Sequence, residues 1–67
     1  EEALSERISL NEVLARLAPA DRLLIRLRFF AGKTQSETAK VLKTTQVQIS
    51  RRERKILKWM REELTGE

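Results

Sequence analysis

The side chains best able to do recognition chemistry lie close together in the run TQVQISRRERKILK, residues 45–58. Glutamine amides and a serine hydroxyl can donate and accept hydrogen bonds. Arginine offers a planar fork of donors that matches a guanine edge or a phosphate. Lysine supplies a point charge suited to phosphates. Together these groups suit sequence reading with backbone anchoring on a nucleic acid. The chain has no cysteine and no histidine, so common zinc patterns, disulfide frameworks and Cys–His or Ser–His catalysis are excluded. No nucleophile–base pair, carboxylate cluster or glycine-rich phosphate loop stands out, so the sequence reads as non-enzymatic, with no cofactor, metal or small-molecule substrate.

Charge supports the same partner class. Fourteen Lys and Arg against ten acids give +4 and a pI near 10.1. The distribution is polar along the chain: residues 1–12 hold four Glu and one Arg, whereas residues 51–61 hold six Lys or Arg and one Glu. One end is thus built to meet a polyanion, although a charged helix face is also what any solvated helix presents. No apolar run exceeds four residues, which leaves neither a membrane span nor a signal-peptide core. A chain of 67 residues is one small domain, or a piece of a longer protein, and buries only about 60% of its unfolded surface.

The elements that position these residues read as all-α, a small four-helix domain ending in a helix–turn–helix. Nothing alternates with period two, and the punctuation falls at Ala18-Pro19, Ala31-Gly32 and Lys43–Thr45. Residues 1–8 are a linker or a helix extension, residues 9–64 the domain, and residues 65–67 a tail. Ser9 with Glu12 forms a capping box for a first helix whose stripe is Leu10, Val13, Leu14 and Leu17. Pro19 and Asp21 open a second helix that runs to Ala31 and stops at Gly32. With Leu23, Leu24, Ile25, Leu27, Phe29 and Phe30 it is apolar on several faces, and is expected to be central. Thr34 and Glu37 box a short third helix with Ala39 and Leu42 inward and Thr38 or Val41 at the edge. Thr45, with Gln48 as box partner, starts the fourth.

At about 100° per residue from Ile49, the residues Ile56, Leu57, Met60 and Leu64 fall between about −20° and +80°, which is the expected buried stripe. Val47, Ser50, Arg51, Arg54, Lys58 and Arg61 face the other way. A helix start of this kind fits the major groove, with downstream cations such as Arg54 and Lys58 on phosphates. An exposed Val47 suits a thymine methyl or a protein contact.

The run LIRLRFFAGKTQSETAKVL followed by TQVQISRRERKIL resembles the C-terminal region 4 of bacterial sigma factors, the promoter-specificity subunits of RNA polymerase, and within them the sporulation and general-stress type. The resemblance covers about residues 8–63. It implies docking in the major groove of the −35 promoter element, contact with the polymerase core at the β flap, and a place in the bacterial cytoplasm with the nucleoid. An anti-sigma factor is a further implied partner. Carried over position by position, the base contacts fall on Gln46, Val47, Ser50 and Arg51. The backbone contacts fall on Lys33, Thr34, Gln35, Arg54 and Lys55, and Thr45 and Lys58 join them as phosphate candidates. The polymerase surface falls on Leu10, Val13, Leu14 and Leu17, residues that would equally serve an ordinary core. Independently of the family, a helix start beside Lys33 is a reasonable phosphate site.

The chain departs from the family at four places. The turn glycine is Lys43, the next aliphatic is Thr44, the third helix's valine is Thr38, and the aliphatic after Ser-Arg is Arg52. Lys43 would need a positive φ, and Arg52 would pack its stem while its head escapes. Two other functions remain open: a protein-interaction module with degraded DNA reading, and a stand-alone helix–turn–helix regulator.

Overall fold

The computed structural model describes residues 9–66. Helix α1 spans Leu10–Arg16, α2 spans Pro19–Ile25 and continues through one π-helical turn, Arg26–Phe30, α3 spans Gln35–Leu42, and α4 spans Gln46–Thr65. Among the described residues there is no strand. Residues 1–8 and 67, where the sequence suggests a linker and a tail tip, lie outside the described residues.

Each helix start is fixed by groups within three residues of it. The Ser9 hydroxyl accepts from the Glu12 amide at 3.2 Å while the Glu12 carboxylate accepts from the Ser9 amide at 3.0 Å. The same reciprocal box joins Thr34 and Glu37, at 3.0 and 2.9 Å. Thr45 accepts from the Gln48 amide at 3.2 Å, but Gln48 does not reach back, so the expected third box is only half formed. Pro19 sits in the first turn of α2, where no N–H is needed. Arg22 crosses back to donate to the Leu17 carbonyl at 3.2 Å, satisfying an acceptor just past the end of α1.

The core gathers Val13, Leu14 and Leu17 from α1 and its end, Leu24 and Ile25 from α2, Ala39 from α3, and Ile49, Ile56 and Met60 from α4, with Leu42 and Trp59 packed against it. Helix α4 lies against α1, α2 and α3, so the central place expected for α2 belongs to α4. On α2 only Leu24 and Ile25 are fully buried, whereas Leu23, Phe29 and Phe30 are exposed. The reason is the end of α2. The Ala31 amide donates to the Arg26 carbonyl at 2.8 Å, five residues back, which widens the last turn before Gly32 takes a φ of 71°.

On α4 the buried stripe is narrower than its apolar residues suggest. Leu57 and Leu64, both expected inside, are exposed. The neighbouring helices cover the side that carries Ile49, Ile56 and Met60 and extend towards the half-buried Trp59, whereas Leu57 stays 39% exposed. Helix α4 also runs one residue further than the expected end of the domain, to Thr65, with Gly66 in the left-handed region as its cap.

The turn between α3 and α4 keeps its left-handed residue without glycine. Lys43 has φ 59° and ψ 47°, at a cost of about 1 kcal/mol. The Thr44 amide then donates to the Ala39 carbonyl at 2.9 Å and closes the end of α3.

Thr38 is fully buried rather than at the edge, and Val41 faces outward. The Thr38 hydroxyl has no hydrogen-bond partner. A buried unpaired hydroxyl costs about 1–3 kcal/mol, so Thr38→Val, which keeps the shape, should raise stability by about 1 kcal/mol. In thermal unfolding that is an increase of about 4–8 °C for a domain of this size. A melting point that stays put or falls would mean the hydroxyl contributes more than it costs.

Candidate nucleic-acid interface

The short turn brings the start of α3 beside the first turns of α4. Gln35, Gln46, Val47, Ser50, Arg51 and Arg54 line one concavity. All four positions proposed to meet bases are therefore joined to two of those proposed to meet the backbone. Val47 is 59% exposed, Ser50 is half-buried, and Arg51 and Arg54 are exposed. Further along α4, Arg51, Arg54, Lys55, Lys58 and Arg61 line a continuous groove beside the exposed Leu57. From residue 46 to residue 61 the only carboxylate is Glu53, and it is buried on the inner side. The outer face of α4 over that span therefore carries positive charge alone.

Gln46 is less free than its exposure implies. Its amide nitrogen donates to Gln35 Oε1 and its oxygen accepts from the Ser36 hydroxyl, each at 3.4 Å. Both ends of the amide are thus tied to the first turn of α3. Thr45 sits at the cap of α4, with its hydroxyl occupied by the Gln48 amide.

The start of α3 combines helix-dipole charge with Lys33. There the Glu37 carboxylate accepts from the Thr34 amide at 2.9 Å. That backbone hydrogen bond from Thr34 holds the Glu37 carboxyl below its ordinary value against an opposing desolvation, with lesser help from Lys33. A depressed carboxylate contributes its stability above the ordinary carboxylate range. The contribution is lost as pH falls through the lowered value. At neutral pH the cap is fully charged.

Of the four leucine and valine positions assigned to polymerase, three belong to the interior. Val13 is 0%, Leu14 5% and Leu17 9% exposed, and each forms part of the core. Only Leu10, 45% exposed, remains available to a partner. A shallow groove of mixed polar and apolar lining, Asn11, Leu14, Arg26, Phe30 and Ala31, lies between α1 and the π-turn.

Three ion pairs among the described residues went unseen in the sequence, one of them Arg16 with Glu63 at 3.1 Å, between the end of α1 and α4. Arg52 does place its head at the surface, where it pairs with Asp21 of α2. Arg28 and Glu53 form a largely buried pair, with Nε to Oε1 at 2.7 Å and Nη2 to Oε2 at 3.4 Å. The signal for Glu53 was present: four residues past Ile49 and three before Ile56, it falls inside the same stripe. Counting only apolar residues passed over it.

A family model described as Sigma-70, region 4 matches residues 13–62. Among curated relatives, the RNA polymerase sigma-F factor of Bacillus licheniformis is 41% identical over 64 residues, 96% of this chain and 25% of the relative. The sigma-F factor of Bacillus subtilis (strain 168) is 43% identical over 58 residues, 87% of this chain and 23% of the relative. The sigma-G factor of the same strain is 40% identical over 55 residues, 82% of this chain and 21% of the relative. The chain thus spans about a quarter of the length of these relatives. No solved structure matches. With the helix–turn–helix geometry, the carbonyl-closed turn at Lys43 and a family match over most of its length, the chain belongs to the Sigma-70, region 4 family.

Proposed function

We propose that this chain is the promoter-recognition domain of an alternative sigma factor, which acts by binding and carries no catalytic step. In this reading α4 enters the major groove of the −35 element. Val47, Ser50 and Arg51 meet base edges, and Gln46 is held at the groove mouth by Gln35 and Ser36. Lys33, Thr34, Gln35 and Thr45 meet the backbone on one side, and Arg54, Lys55 and Lys58 meet it on the other. The observation that carries the reading is the concavity shared by Gln35, Gln46, Val47, Ser50, Arg51 and Arg54. It sets amide, hydroxyl, methyl and guanidinium groups together beside a groove whose charged lining is all basic.

Docking on the polymerase β flap belongs to α1 and the end of α2 in this reading. Leu10 is exposed on α1 and Phe30 at the end of α2, and the groove beside Phe30 gives a partner helix or loop a seat. An anti-sigma factor would meet the chain on this surface or compete for the basic one. The same reading places the protein in the bacterial cytoplasm, at the nucleoid.

The test is a titration of the chain with a −35-like duplex and a scrambled duplex across a salt series. The expected result is at least about tenfold preference for the −35-like duplex. The slope of log affinity against log salt should be near −4, from the four cations Lys33, Arg54, Lys55 and Lys58 on phosphates. Equal affinity for the two duplexes, or no binding at low salt, would rule the reading out.

A further inference from the structure

Arg28 continues the line of Leu24, one turn further along, and so turns a cation towards the interior. Such a group needs a partner, and it has two. Its Nε and Nη2 grip the carboxylate of Glu53, at 2.7 and 3.4 Å, while its Nη1 donates to the Lys33 carbonyl at 2.8 Å. The side chains are only 22% and 11% exposed. One guanidinium therefore spans three separate pieces of chain: the π-turn, the peptide that leads into the Thr34 cap of α3, and the inner side of α4.

The two ends of this bridge matter for different reasons. Glu53 lies on the underside of the segment whose upper side carries Val47, Ser50, Arg51 and Arg54. Lys33 immediately precedes the helix start that holds a phosphate in the proposed function, on which this inference rests. A rigid three-donor fork between the two leaves neither free to slide.

The structure assigns Arg28 and Glu53 a positioning role: they set the distance between the phosphate anchor at the start of α3 and the base-reading face of α4. The Phe29 ring lies beneath the same guanidinium, 5.4 Å away, and limits its swing. Neither side chain touches DNA. Each acts through the backbone of Lys33 or through α4. A duplex has a fixed separation between a phosphate and the neighbouring base edge. A domain that holds its own two contact points at that separation binds without ordering them first.

Arg28→Lys keeps the charge but cannot fork, and Glu53→Gln keeps the shape but loses the charge. Each is made in the full 67-residue chain, alone and together, so that failure of one to fold leaves the other to be read. In the variants that retain the wild-type far-ultraviolet circular dichroism, affinity for the −35-like duplex should fall about tenfold, the equivalent of one charge-assisted hydrogen bond. The salt slope should become shallower by about one unit as the anchor at Lys33 and Thr34 is lost. Scrambled DNA shares the phosphate contact at Lys33 but needs no fixed register between anchor and bases, so its binding should weaken less and the preference should fall. The double variant should lose no more than the worse single one. In the free protein, amide resonances from Thr34 to Glu37 should shift in both single variants. Folded variants with unchanged preference and slope would overturn the role, as would losses shared equally by both duplexes. Unmoved amides at the start of α3 would overturn it without any DNA. A wild-type chain that shows no preference would instead overturn the promoter reading, and the amide shifts alone would then decide whether the bridge holds α3.

Discussion

Ile49→Ala should leave the free chain largely unfolded at 25 °C, and the matching DNA duplex should refold it. Ile49 is 0% exposed and belongs to the core that joins α4 to all three other helices. Cutting a buried isoleucine back to alanine costs about 2–5 kcal/mol. A domain of this length carries total stability on the order of 3–10 kcal/mol. Here that sum is lowered by the left-handed Lys43 and the unpaired Thr38 hydroxyl. The variant therefore sits near zero. A duplex that binds only the folded form, at about one hundred times its dissociation constant, returns about 2.7 kcal/mol. Far-ultraviolet circular dichroism of the variant, alone and with each duplex, reads this directly. Low helicity alone, recovered with the −35-like duplex, is the expected outcome. A cooperative melt within a few degrees of the wild type would show that the helix α4 seam is not where the stability lies.

The parts of this fold that could be read in the sequence are those fixed within a few residues. Ser9, Thr34 and Thr45 cap helices because a hydroxyl reaches an amide three residues on, whatever else the chain does. Pro19, Gly32 and the left-handed Lys43 are legible for the same reason. Periodicity also found the outward face of α4, since Val47, Arg51, Arg54 and Lys58 are all exposed. What periodicity does not contain is how wide a face the neighbours cover. Leu57 and Leu64 fit the stripe and stay outside, whereas Glu53 fits it and goes in, because Arg28 waits there. That pairing spans 25 residues of sequence and depends on the π-turn. Val13, Leu14 and Leu17 illustrate the converse: a stripe of apolar residues looks alike whether it meets the core or a partner, and here the core takes it. Among the reading residues, the coupling of Gln46 to Gln35 and Ser36 was equally hidden, since it needs α3 and α4 already in place.

That coupling bears on which side chain sets specificity. Gln46 has both ends of its amide engaged, whereas Arg51 is exposed and lines both the reading concavity and the basic groove. An arginine fork on a guanine discriminates by about 1–3 kcal/mol, or roughly tenfold to a hundredfold at one base pair. Lys55 lies in the basic groove but not in the concavity, and a lysine there has only a phosphate to meet. The two alanine variants should therefore fail differently. Arg51→Ala should flatten the preference at one position of the −35 element while leaving scrambled DNA bound almost as before. Lys55→Ala should weaken every duplex by a similar factor and make the salt slope shallower by about one unit. Neither residue is in the core, so both variants should keep the wild-type melting point. Competition binding against single-base variants of the −35-like duplex separates the two patterns. If Arg51→Ala lost affinity uniformly across that panel, as Lys55→Ala should, the guanidinium would be a phosphate ligand. The reading would then fall to Val47 and Ser50, whose methyl and hydroxyl groups support a far weaker code.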